Sequence, residues 1–389
     1  MSLPRFSQDP RAAQFVQDPY PTYRHLRGHP FVMWEDLDLV VTARADLTQA
    51  ILRDRRFGRE PAGGHPPARP EIETFARLDR AAMLDREPPD HTRLRALVLR
   101  AFTSTRVARL APWIEARAAQ LLDQAPDGPF DLIATLAEPL PVQVIAHMMG
   151  VPLARAPDLL NWSHAMVAMY QPGREPEVER RAVAAAEAFG DYIGGLIAAR
   201  ARAPGDDLLS ALVRAHQGEE RLSHLEVVAN AILLLNAGHE ATVHGIANGV
   251  KALLESGQYG AAPNDAMVEE VLRFDPPLHL FTRHVREACD VVGHHFAQGK
   301  QVGVLLAGAA RDPKLCPQPD NFRPARAPCP HVSFGAGLHF CVGAPLARLE
   351  ILIALRTLTA RFPQLRLAAP PIYANRWHFR GLNALMVRA

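Results

Sequence analysis

One stretch constrains this chain more than any other: Phe334-Gly-Ala-Gly-Leu-His-Phe-Cys-Val-Gly343, which sets the thiol of Cys341 in a glycine-spaced loop. The run that follows, Ala344-Pro-Leu-Ala-Arg-Leu-Glu-Ile-Leu-Ile-Ala-Leu-Arg-Thr-Leu, predicts a helix starting just past the sulfur. A sulfur there faces unpaired backbone N–H groups and the positive end of the helix dipole, which favour thiolate over thiol. Thiolate is the form that ligates a metal or attacks a substrate. The default for a lone cysteine is a small buried hydrophobe, and glycine loops also cradle phosphates. No Gly-Lys-Ser/Thr follows, however, and a dinucleotide fingerprint would need glycine where Phe340 stands. Cys289, Cys316 and Cys329 form no C-x-x-C pair, which argues against a zinc site.

Taken whole, the string resembles the haem-binding loop of the cytochrome P450 superfamily, Phe-x-x-Gly-x-x-x-Cys-x-Gly, with every fixed position present. The resemblance implies haem b, with Cys341 as the metal ligand and Phe334, Gly335, His339 and Gly343 around the cofactor. Further landmarks recur in order. In Pro88-Pro-Asp-His-Thr-Arg-Leu-Arg95, His91 and Arg95 are helical i, i+4 neighbours able to reach one anionic target. The bland alternative is a solvated helix face. The resemblance assigns His91, Arg95, His339 and Arg283, from Pro276-Pro-Leu-His-Leu-Phe-Thr-Arg283, to the haem propionates.

Leu233-Leu-Leu-Asn-Ala-Gly-His-Glu-Ala-Thr242 lies in an apolar helix predicted over about 223–254. His239, Glu240 and His244 invite a zinc-protease reading, but H-E-x-x-H needs histidine at the position of Val243. Small Ala237 and Gly238 would let a flat cofactor or dioxygen lie against the helix. The resemblance makes Glu240 the acid of a proton-delivering acid–threonine pair. Here the chain departs from the pattern: Ala241 stands at the threonine position and Thr242 comes one place later. One residue is about 100° of helix rotation, so Thr242 should not substitute in the same orientation. An ordered water or a substrate hydroxyl is expected to supply the missing group.

In Val268-Glu-Glu-Val-Leu-Arg-Phe274, Glu270 and Arg273 are i, i+3 partners able to form a surface ion pair. The resemblance instead buries them with Arg326 of Phe322-Arg-Pro-Ala-Arg326, in a structural role. It also places substrate near the loop of residues 60–83 and against Trp162, Met166, Met169, Asn236, Ala237, Leu278, Leu280 and Phe281. Such apolar spacing equally suits ordinary core.

The 389 residues can bury a large core, and 48% hydrophobic with 22% charged residues describes an ordinary globular composition. A net charge of +2 makes no case for nucleic acid. The N-terminus lacks a signal-like apolar core, and the most apolar runs, Val227–Leu235 and Val302–Ala310, are too short to span a bilayer. Unanchored, with four scattered cysteines, the chain is expected to be cytoplasmic and bacterial in type. Prolines cluster at 61–70 and 313–330, predicting a loop and a long irregular meander.

Helical periodicity over about 90–275 and 341–360 predicts a mainly α body. Small β-rich portions are expected at about 31–42, 279–306 and 376–388, within one domain spanning 1–389. The fold class is α+β, in agreement with the resemblance. That resemblance implies a monooxygenase of secondary metabolism. It would take O2 and two electrons from a separate ferredoxin and reductase fed by NAD(P)H, and oxidise a small hydrophobic substrate. Arg93, Arg100 and Arg348 are candidate docking residues for the ferredoxin. A peroxide-dependent or coupling enzyme, a haem-based sensor and a thiol hydrolase are the competing readings.

Overall fold

The computed structural model describes residues 3–170, 174–217 and 222–389. The chain forms two compact units from separated stretches: Met1–Ala62, Ala111–Glu138 and Ala241–Ala389 in one, Gly63–Leu110 and Pro139–Glu240 in the other. The helix His224–Glu255 passes from the second unit into the first between Glu240 and Ala241.

The first unit carries a six-stranded sheet in the order Arg5–Phe6, Val32–Trp34, Leu39–Thr42, Gln301–Leu305, Leu280–Val285 and Phe57–Gly58. Val32–Trp34 and Leu39–Thr42 form the expected antiparallel hairpin. Its second strand then pairs in parallel with Gln301–Leu305, which puts the long-range strand at the sheet centre. β-branched Val41, Val302, Val304 and Val285 are buried there, as suits a pleated sheet covered on the core side. Gly303 is required at this crossing, because a Cβ would meet Leu39, Leu280 and Val41 within about 3.0 Å. Residues 376–380 are a turn with one bridge, Leu278 to Phe379, instead of the expected strand. Arg380, at the end of this turn, pairs with buried Asp275 at 2.9 Å.

Two helices of this unit hold up the cysteine loop. Asp265–Phe274 begins at Asn264, whose side-chain oxygen accepts from Met267 N at 3.0 Å, a strong N-terminal signal. Ala344–Arg361 begins at Gly343 with proline in its first turn, where the absent N–H costs nothing. It packs against Asp265–Phe274 and Ala111–Leu122.

The second unit is helical. Its longest helix, Pro176–Arg202, buries Ala182, Ala185, Ala186, Phe189, Ile193 and Ile197 at three- and four-residue spacing against Ala156–Val167 and its neighbours. One 18-residue window of this helix reaches a mean hydropathy of 1.3, enough by length and composition to cross a membrane. Its large apolar residues are spread among alanines, glycines and charged residues, so no continuous apolar run marks it in the sequence. Residues 60–83, expected as a loop, contain the helix Glu73–Ala81.

Residues 311–336 form the expected meander, free of helix and strand. Within it Cys316 and Cys329 are joined by a disulfide, with Cα atoms 5.5 Å apart. Two of the four scattered cysteines are therefore joined, which the expectation of a reducing compartment did not foresee. Their separation of 13 residues carries no spacing signal, and only the fold of the meander brings them together. Titration of thiols in denatured, unreduced protein should count two, Cys289 and Cys341, and four after reduction. Four before reduction would contradict the bridge.

Candidate functional site

In the first unit, residues 332–343 form a loop closed by its own backbone. Cys341 N donates to Phe334 O at 3.1 Å, Gly335 N to Val332 O at 2.8 Å and Phe340 N to Gly337 O at 3.2 Å. Gly335 and Gly337 adopt φ of +72° and +71°, a left-handed conformation that excludes most side chains. At Gly337 a Cβ would also lie 2.3 Å from Leu52 O, so glycine is needed there twice over. Phe281 lies 3.3 Å from where a Gly335 Cβ would be. The Arg348 guanidinium covers the Phe334 ring at 4.6 Å. Held in this way, Cys341 is an exposed cysteine outside the disulfide, at the N-terminus of Ala344–Arg361. His339, in the turn Gly337–His339, is half-buried.

Behind the loop, Glu270 and Arg273 are 2% and 0% exposed. Arg273 Nε and Nη2 donate to the two carboxylate oxygens at 2.7 and 2.9 Å, a bidentate pair. Arg326 Nε comes within 3.0 Å of Glu270, and Arg323 N donates to it at 2.7 Å. The pair is thus buried and joined by Arg326, not the surface pair that spacing alone allows. Sequence reasoning missed the Arg323 backbone contact, which no side-chain pattern signals.

It also missed Glu269, which takes His331 Nε2 at 3.1 Å and Arg348 Nε at 2.5 Å. Burial alone would raise the Glu269 pKa; bonds from His331 and Arg348 outweigh it and hold it at about 2. A cavity of about 340 Å³ beside the loop is lined by Glu269, His331, Phe334, Phe340 and Arg348. On the strand Leu280–Val285, Arg283 is buried and donates to Thr282 O at 2.8 Å.

In the second unit, His91 and Arg95 sit one turn apart on Asp90–Ala101, the first buried and the second half-buried. Arg93 of the same helix is tied to Glu226 and to Asp90 at 3.2 Å. Arg93 and Arg348, two of the three docking candidates, therefore already carry acidic partners. The third, Arg100, is exposed.

Along His224–Glu255, Ala237 is exposed although Leu234, Leu235, His239 and Glu240 around it are buried. Gly238 is small for another reason than expected: a Cβ there would meet Ile145 at 2.8 Å, so its missing side chain admits Pro139–Met149. Glu240 is buried, with His164 Nε2 at 3.1 Å and His239 Nε2 at 3.8 Å. Burial pushes the His239 imidazole down to about 4. His164 went unremarked in sequence because its place depends on the packing of Ala156–Val167.

Across the junction the helix remains regular, so Ala241 and buried Thr242 stand successive steps of about 100° around it. His244 faces Phe379, with ring centroids 5.5 Å apart.

The substrate candidates divide. Trp162 lies against Phe189 and Tyr192, with centroids 5.1 and 5.6 Å away, and under Arg155, so part of it packs Ala156–Val167 to Pro176–Arg202. Met166 and Met169 are buried. Asn236 Nδ2 reaches Met166 Sδ at 3.8 Å, while Asn236 Oδ1 is buried without a hydrogen-bond partner. Leu278, Leu280 and Phe281 are half-buried, and Leu278 and Phe281 pack on the sheet core.

The depressed Glu269 pKa has a stability consequence. Its contribution is complete above the usual 4.5 and is lost as pH falls towards 2. The gap in urea midpoint between wild type and Glu269→Gln should narrow as pH drops below 4.5; a gap that widens or stays constant would contradict the anchoring role.

The chain resembles known proteins over nearly its whole length. A family model described as Cytochrome P450 matches residues 264–368. Cytochrome P450 107B1 of Saccharopolyspora erythraea is 39% identical, with 96% of each chain covered. The 6-deoxyerythronolide B hydroxylase of the same organism is 35% identical, with 98% of each covered. Among solved structures, P450BioI in complex with an acyl carrier protein ligated to hexadec-9Z-enoic acid superimposes with a TM-score of 0.91 at 33% identity, covering 97% of this chain and 100% of that one. The chain belongs to the cytochrome P450 family and is a haem b monooxygenase.

Proposed function

We propose that Cys341 is the thiolate ligand of haem b and that the enzyme oxidises a small hydrophobic substrate bearing a hydroxyl group. One observation carries the reading: an exposed cysteine, not in a disulfide, at a helix N-terminus in a loop whose turns favour glycine. The residues fit a flat, dianionic group in other ways. Ala237 leaves an open spot on an otherwise buried helix, and the Asn236 carbonyl lacks a hydrogen-bond donor. His91, Arg95, Arg283 and His339 supply the cationic and N–H groups that two propionates need if they are to be buried.

Haem supplies the oxygen-activating chemistry when bound. The chain's own part is proton handling and positioning. Glu240 holds and passes a proton, Ala241 offers no hydroxyl, and Thr242 is turned a step away. An ordered water or the substrate's hydroxyl takes up the vacant hydrogen-bonding role. The relatives' names, a 6-deoxyerythronolide B hydroxylase and a P450 bound to an acyl carrier protein carrying a fatty acid, support a hydrophobic, oxygenated substrate of secondary metabolism. Met166, Met169, Leu280 and Phe281 would contribute apolar wall. Electrons come from a separate ferredoxin and its NAD(P)H-fed reductase, with Arg93, Arg100 and Arg348 as candidate docking residues, and the enzyme works in the cytoplasm.

The reduced protein exposed to carbon monoxide should show the strongly red-shifted Soret band of a thiolate-ligated haem, and Cys341→Ala should lose it. A band that survives the substitution would remove Cys341 from the iron. Ala241→Thr should change the yield of product per electron on the true substrate. An unchanged yield would sink the substitute-hydroxyl reading.

A further inference from the structure

His164 and His239, for which the monooxygenase reaction has no use, form a group with Glu240. They come from two helices of one unit, Ala156–Val167 and His224–Glu255. One ligand-type atom from each, His164 Nε2, His239 Nε2 and a Glu240 carboxylate oxygen, lies within 4.8 Å of the other two. The histidine–carboxylate separations are 3.1 and 3.8 Å. Tetrahedral ligation at about 2.0–2.1 Å places ligand atoms about 3.4 Å apart, between these two values.

The tautomer of His239 is decided by its neighbour. Its Nδ1 stands 2.8 Å from Leu235 O, which can only accept, so Nδ1 carries the hydrogen and Nε2 presents a lone pair. That Nε2 is buried, its side chain 2% exposed, and it has no hydrogen-bond partner. Metal-ligating histidines show this arrangement: the remote N–H is held by a backbone carbonyl while the other nitrogen is aimed at the ion. A plain His164–Glu240 ion pair explains the 3.1 Å contact but leaves the aimed, unsatisfied His239 nitrogen without a purpose. His164, with its side chain 46% exposed, opens the group to solvent and gives an ion both a way in and room for a water ligand.

We propose that His164, His239 and Glu240 bind one divalent transition-metal ion, zinc by preference. Two imidazoles and a carboxylate suit zinc with a water in the fourth position. The ion would occupy the carboxylate proposed above to handle protons, so binding and turnover compete for one residue. The site itself does not rest on that role.

The test is zinc chloride titrated calorimetrically into haem-loaded enzyme, wild type against His164→Ala and Glu240→Gln. The carbon monoxide spectrum serves as the check that each variant is folded. The expected result is one ion per chain, at least tenfold weaker binding in each variant, and a zinc-edge absorption spectrum with two imidazoles and no sulfur. Wild type and His164→Ala binding zinc equally, no binding at all, or sulfur in the zinc shell would each overturn the proposal. Because His164 is half-exposed on its helix, its removal tests the site without removing core.

Discussion

Everything around the cysteine loop depends on a carboxylate that water does not reach. Glu270 and Arg273 are buried together, and a charge pair in that position is tolerated only when nearly every lone pair and proton is matched. Two bonds from Arg273, the Arg326 guanidinium and the Arg323 N–H meet that demand. Each partner comes from the meander or from the helix behind it, so satisfying Glu270 fixes an irregular segment that has no helix or strand of its own. The disulfide tightens the same segment: Arg326 Nη1 lies 2.9 Å from Cys316 Sγ. Deleting one member of such a buried set leaves an unmatched charge and costs roughly 3–5 kcal/mol.

The same economy of buried charge runs through the rest of this unit. Asp275 accepts from Tyr20, Tyr373 and Arg380, and Arg380 in turn donates to Val16 and Gln17 carbonyls. Asn248 of the long helix donates to Asp275 O and Arg380 O, tying the helix to this centre. Anions and guanidiniums hold this side of the molecule, while glycine and alanine shape the helix His224–Glu255. Gly238 admits Ile145 and Gly249 admits Val271, each at a distance no Cβ would allow. Ala237 is the small residue on this stretch that stays exposed.

Much of this was legible in the chain. The spacing of Phe334, Gly337, Cys341 and Gly343 is local, and a local pattern states its own turn geometry. Glu270 with Arg273, and His91 with Arg95, follow from helical period in the same way. The departure at Ala241 was readable because one residue on a regular helix is a fixed rotation. Less legible were the partners. Arg93 and Arg348 read as free basic charge, yet each meets an acid far away in sequence, Glu226 and Glu269. Trp162 reads as pocket wall, yet part of it packs the seam between two helices.

The sequence by itself determined the class of fold, the sulfur, its loop and the missing hydroxyl, because these rest on short-range backbone geometry and on residue identity. Tertiary structure alone decided which charges are neutralised, which cysteines are joined and what lies beside Glu240. Those depend on contacts between segments far apart in the chain, such as Cys316 with Cys329 and His164 with Glu240. No periodicity within one segment encodes them; they exist only once helices pack and the buried groups find their partners.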